Sequence, residues 1–129
     1  MSKENTDELL LDFGPEGKEL IPVVTQDSTT REVLILAFAN REAFEETMKS
    51  GYATFWSRSR QELWKKGMTS GDMLKVDDVL INCEQNSLVY RVTPQGKGAC
   101  HAKRADGRPH TSCYYRRITR ERKLEHIEE

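Results

Sequence analysis

The chain has 129 residues, a formal net charge of −1, 36% hydrophobic and 32% charged residues. That is the length of one domain with a lean core, and the near-neutral balance excludes bulk attraction to nucleic acid or to an anionic membrane. No apolar run reaches transmembrane length, and an odd cysteine count (three) with no signal-peptide pattern speaks against a disulfide framework, so a cytoplasmic protein without membrane or nucleic-acid partners is expected.

Residues 1–18 are polar, with a Leu9-Leu10-Leu11 stripe and a Gly14-Pro15 breaker. They read as an N-terminal arm, a short helix or loose segment. A domain over 19–118 follows, then a charged tail over 119–129 that reads as a frayed helix. Residues 20–25 predict a first strand, with Pro22 making it an edge strand or a strand start. The stretch over 32–39, apolar without a break after Glu32, predicts a strand buried on both faces. Asn40 fits a helix N-cap, Glu42 lies in the first turn where the helix dipole favours an acid, and Gly51 fits the C-terminal stop. Phe44 and Met48 are four apart and share one face of that helix, which is read as core cover.

An aromatic strand follows over 52–57. It runs into a segment with four cations in nine residues, Arg58, Arg60, Lys65 and Lys66, and then Gly67-Met68-Thr69-Ser70-Gly71. A basic run is most often a solvated face. This one also carries two hydroxyls between two glycines, whose backbone N–H groups can approach phosphate oxygens. Trp56 and Trp64 beside it are core residues or stack a base. Residues 73–83 and 87–93 read as a hairpin turning at Gln85-Asn86. If the chain stays extended through 86, Asn82, Glu84 and Asn86 face one side and Cys83 the other. A glycine-bearing loop delivers Cys100-His101, a polar loop over 103–109 turns at Asp106-Gly107, and 110–118 predicts a last strand carrying Cys113.

Cys83, Cys100 and Cys113 are all the cysteines present. Spacing alone does not assign them a metal, because no Cys-x-x-Cys knuckle occurs, and inert buried thiols are the plainer reading. His101 adds a second ligand or a proton carrier beside Cys100. His110 is a weaker candidate for the same proton transfer.

Several segments together resemble the phosphoribosyl-AMP cyclohydrolase family of histidine biosynthesis. They are Val33-Leu34-Ile35-Leu36-Ala37-Phe38-Ala39-Asn40, Phe55-Trp56-Ser57-Arg58-Ser59-Arg60, Leu63 to Gly71, Ala99-Cys100-His101 and Ser112-Cys113-Tyr114. The resemblance covers most of the chain. It implies an α+β fold: a compact, strand-rich single domain with a short helix after the second strand, in an intertwined homodimer. It implies a zinc ion held by Cys83 of one chain with Cys100 and Cys113 of the other, and hydrolytic opening of an adenine ring at N1–C6, with His101 as proton carrier or fourth ligand. Ser57, Arg58, Arg60, Trp64, Lys65, Lys66, Gly67, Thr69, Ser70 and Gly71 are then expected to hold a nucleotide with two phosphates. Two departures stand out. The family's Asp-Cys-Asp-x-Asp motif, whose aspartates hold magnesium, here reads Asn82-Cys83-Glu84-Gln85-Asn86, so magnesium binding is expected to be weak. The interval between Cys100 and Cys113 is also longer than the family pattern. The rival readings are a zinc-stapled nucleotide- or RNA-binding module without turnover, and a related hydrolase acting on another purine nucleotide.

Overall fold

A computed structural model describes residues 2–127. Among them the order is β1 (Ile21–Asp27), β2 (Val33–Ala39), α1 (Arg41–Ser50), β3 (Thr54–Ser57), β4 (Glu62–Lys65), β5 (Leu74–Ile81), β6 (Leu88–Pro94), β7 (Arg116–Ile118) and β8 (Leu124–His126), after a 3-10 turn at Lys3–Asn5. The fold is therefore strand-rich, with one short α-helix directly after β2. A four-stranded sheet in the order β2-β1-β6-β5 forms the body. β1 and β6 run parallel and the other neighbours antiparallel. Two hairpins, β3-β4 and β7-β8, stand apart from that sheet.

Local chemistry accounts for the helix. Asn40 Oδ1 accepts the Ala43 N–H at 2.9 Å, and Gly51, in the left-handed region, donates its N–H to Thr47 O. The buried face is Ala43, Phe44 and Thr47. Met48, expected beside Phe44, is instead 56% exposed; adjacent turns place Ala43 and Thr47 nearer the sheet. Phe44 packs on Phe13 from the N-terminal arm, with ring centroids 5.8 Å apart. Phe55 stacks on Tyr90 at 6.0 Å and meets Trp64 at 5.7 Å, which joins the β3-β4 hairpin to the sheet.

Several sequence expectations change. β2 is an edge strand, and Val33 and Leu36 are exposed, so its apolar run is not buried on both faces. β1 lies inside the sheet, not at its edge. Pro22 is tolerated because it stands at the strand start and pairing with β6 begins only at Val23. The basic segment, to which the sequence reading gave no secondary structure, contains β4. Residues 110–115 form no strand; the extended piece is only Arg116–Ile118, paired with Leu124–His126. The tail is thus a hairpin where a helix was expected, closed by Arg117 against Glu125 at 2.9 Å. Its last two residues lie outside the described range.

Candidate metal and nucleotide site

Two thiols meet in one chain. Residues 98–102 run beside 109–111: Ala99 N donates to Thr111 O, Cys100 N to His110 O and His110 N to Ala102 O, each at 3.1 Å. Gly98 permits this approach, since a Cβ there would sit 2.5 Å from His110 O. Ser112 Oγ then donates to Val33 O at 2.6 Å and Cys113 N to Leu34 O at 2.8 Å, tying the next stretch to β2. The polar loop over 103–109 is the tip of this excursion, with Arg104 N donating to Arg108 O and Gly107 N to Arg104 O. Twelve intervening residues therefore return Cys113 to Cys100.

Cys100 is buried, and its Sγ accepts the Ala102 N–H at 3.4 Å. The Cys113 residue is exposed, but its thiol is half-buried against Cys100. Burial first, and then the hydrogen bond and charge of Cys100, push the Cys113 thiol up to about 12. Lys66 opposes that rise. Its side chain is itself buried, at 7% exposure, beside Asp72 and both thiols, and burial holds its pKa below the usual lysine value.

Of these groups, Cys100, Lys66 and Asp72 border a cleft of about 390 Å³. The cleft gathers Arg60, Trp64, Lys65, Lys66, Gly67, Thr69, Ser70, Cys100 and His101 from the sequence-expected set. Trp64 lines it and is 40% exposed to solvent. Lys65 is shared with Glu46, 3.8 Å away on α1. Gly67 has φ +80°, and a Cβ there would lie 2.2 Å from the Asp72 backbone, so only glycine fits this turn. The N–H groups of Thr69 and Ser70 take no acceptor among the described residues, leaving donors at the loop tip. Asp72, unassigned from sequence, is the acid beside Lys66 and accepts the Lys97 N–H at 2.9 Å. Its only sequence signal was a carboxylate directly after the Thr-Ser-Gly run.

Other expected residues lie elsewhere. The Arg58 guanidinium stacks on Phe38, 4.1 Å from the ring centroid, and Ser57 Oγ accepts the Arg60 N–H in the hairpin turn. Gly71 borders an adjoining cavity. His110 is buried and stacked on Tyr115 at 3.6 Å, away from this cleft. A larger cavity of about 600 Å³ at the start of α1 contains none of the cysteines.

Cys83 does not join the other two within the chain. Among the described residues no group of three or more His, Cys, Asp and Glu is placed to hold a metal. Cys83 is exposed on the β5-β6 turn. That turn begins at Asn82, which ends the alternation expected through residue 86. Asn82 Oδ1 accepts both the Asn86 and Ser87 N–H groups at 2.9 Å, and its Nδ2 donates to Asn86 Oδ1 at 2.6 Å. Gln85, with φ 54°, buries its amide and grips the arm through Leu10 N, Lys3 O and Glu8 O. The two asparagine oxygens are spent on the turn, and Glu84 alone supplies a carboxylate. This donor set does not fit a hard cation such as magnesium. The Cys100–Cys113 pair, with its N–H···S bond and nearby ammonium, does fit the soft half of a zinc site that is completed by a further ligand.

A sequence profile of phosphoribosyl-AMP cyclohydrolase matches residues 35–115. The chain belongs to the phosphoribosyl-AMP cyclohydrolase family. It is 44% identical over 108 residues to the phosphoribosyl-AMP cyclohydrolase of Desulfatibacillum aliphaticivorans, covering 84% of this chain and 81% of that one. The cyclohydrolase of Archaeoglobus fulgidus is 48% identical over 103 residues, covering 80% and 89%. The histidine biosynthesis bifunctional protein HisIE of Thermus thermophilus is 57% identical over 86 residues, covering 67% of this chain and 40% of that protein. The cyclohydrolase match spans β2 to the Cys113 loop, so the whole basic cleft lies inside it.

Proposed function

We propose that this chain is a zinc-dependent phosphoribosyl-AMP cyclohydrolase of histidine biosynthesis, working as a homodimer. Family membership supports the enzyme class and pathway. The observation that carries the site is the meeting of Cys100, Cys113 and Lys66 beside a basic cleft that also holds His101 and Trp64. Cys100 and Cys113 of one protomer and Cys83 of the other would hold the zinc. Zinc with three protein ligands supplies a hydroxide nucleophile near neutral pH.

The remaining work falls to the chain's own side chains. Ribosylation at N1 leaves the adenine ring cationic and C6 electrophilic. Trp64 offers a face for the base. Arg60, Lys65 and the Thr69–Ser70 backbone hold phosphate through charge-assisted hydrogen bonds. Lys66 lies beside the thiols and offsets the negative charge that ligating sulfurs accumulate. Water adds to C6 and gives up one proton, the N1–C6 bond breaks with its electron pair going to N1 as the new C6 hydroxyl loses its proton to become the carboxamide carbonyl, and His101 delivers a proton to N1 as it leaves. His110 is set aside because its ring is committed to Tyr115. The test is turnover of phosphoribosyl-AMP followed by ultraviolet absorbance, with zinc measured on the same protein. Cys100→Ala is expected to lose zinc and turnover together, and full turnover with zinc retained refutes the assignment.

A further inference from the structure

A second cavity adjoins the cysteine-bearing cleft. It has a volume of about 650 Å³ and shares Ser70, Asp72 and Lys103 with the first. Three cations face it: Lys97, Lys103 and Arg108. Its two acids are already engaged. Asp72 Oδ1 accepts the Lys97 N–H at 2.9 Å, and Asp106 accepts the Arg108 N–H at 3.0 Å and Arg108 Nε at 2.9 Å. Asp106 thus fixes the guanidinium from its Nε side, and the terminal nitrogens of Arg108 take no partner among the described residues. A pre-oriented guanidinium with two open terminal donors is suited to a planar or tetrahedral oxyanion. Ser70 lies on the wall shared with the first cleft, and its N–H takes no acceptor among the described residues.

We propose that this cavity is a second anion subsite, built largely by the 103–109 loop, which takes one phosphate of a ligand carrying two while the Arg60–Lys66 side takes the other. The inference rests on the reading of the substrate as phosphoribosyl-AMP, and it assigns Lys97 and Arg108 to specificity for the doubly phosphorylated molecule. Neither residue touches the reacting ring in this arrangement.

The experiment uses the double variant Lys97→Gln/Arg108→Gln; both side chains are exposed, so folding is retained. The KM for phosphoribosyl-AMP is expected to rise roughly tenfold, the loss of two charge-assisted contacts at a hydrated site, with kcat within about twofold. AMP and ribose 5-phosphate, each a half-ligand with one phosphate, are then compared as competitive inhibitors. One half-ligand should weaken several-fold and the other should not. An unchanged KM, or equal weakening of both halves, overturns the second subsite. Wild-type enzyme is the control: no turnover there refutes the substrate reading itself, whereas wild-type turnover with an unmoved variant KM refutes only the subsite.

Discussion

The most exposed prediction concerns how three cysteines from two protomers make one metal site. Cys113 is tied to β2 through Leu34 O, and Cys83 follows β5, at the opposite edge of the same sheet. One protomer therefore offers a pair of thiols in one place and a single thiol in another. In the proposed homodimer each site would take the pair from one protomer and the single thiol from its partner. Cys83→Ala and Cys100→Ala are each expected to be inactive as homodimers. A heterodimer of the two differs: the Cys83→Ala protomer contributes Cys100 and Cys113, and the Cys100→Ala protomer contributes Cys83. One of the two sites is complete and the other retains a single thiol. Heterodimers isolated by two different affinity tags should show about half the wild-type turnover and about half its zinc per dimer, by the symmetry of a two-fold assembly. Heterodimers no more active than either parent refute sharing across the interface. Full activity in the Cys83→Ala homodimer refutes Cys83 as a ligand.

Tyr90 Oη is buried and meets no hydrogen-bond partner in good geometry among the described residues, since the neighbouring Thr47 hydroxyl is turned toward Ala43 O, Thr54 O and the Thr54 N–H. Tyr90→Phe is therefore expected to hold or raise stability by about 1 kcal/mol in chemical denaturation, and a loss of that size refutes an unsatisfied hydroxyl. Burial raises the Tyr90 pKa from 10.0 to about 12, so the unfolded chain releases this proton first. Between those values wild-type stability should fall by about 1.4 kcal/mol per pH unit more steeply than that of Tyr90→Phe, and parallel alkaline slopes contradict it. Asp77, extruded at the β5 bulge, has its pKa lowered by hydrogen bonds from Ser28 Oγ at 2.7 Å and Thr93 Oγ1 at 2.6 Å. A depressed carboxylate stabilises above its unfolded pKa and loses that contribution as pH falls; Asp77→Asn should cost less than about 1 kcal/mol at neutral pH, after solvent screening, and flatten the acid limb of a stability profile. Turnover of the zinc-loaded enzyme is expected to be independent of added magnesium, and manganese should show no spectroscopic binding at Asn82, Glu84 and Asn86; a magnesium requirement there contradicts the closed amide turn.

What was legible in the sequence was local. The caps of α1 are single residues acting on their own turn, and the β5-β6 hairpin follows from alternation. The stretch from Gly67 to Gly71 announced its own loop because glycine at 67 is dictated by backbone contact. The misreadings each need a partner far away in the chain. β4 is four residues inside a basic run and becomes a strand only by pairing with β3. The β7-β8 tail alternates charge, which suits a helix face as well as a two-stranded ribbon. The charge run 58–66 gave no sign that Lys66 is buried while Arg58 stacks on Phe38. Asn82 and Asn86 read as weakened metal ligands, yet an amide can donate as well as accept, and that is how they bond each other.

The same sheet geometry links the lean core to the chemistry. Its two edges, β2 and β5, expose Val33 and Leu36 on one side and Leu80 and Ile81 on the other. Exposed apolar edge strands are an aggregation hazard unless something covers them. A two-fold partner that lays its β5 edge near this chain's β2 edge covers both sets at once, because the reciprocal contact is generated by symmetry. The same placement carries each Cys83, just beyond β5, toward a Cys113 anchored on β2. A monomer cannot do this without tearing β1 and β6 from between the two edges. In the proposed dimer, burial of the edges and completion of the thiolate set are one event, so zinc binding and subunit association should be thermodynamically linked.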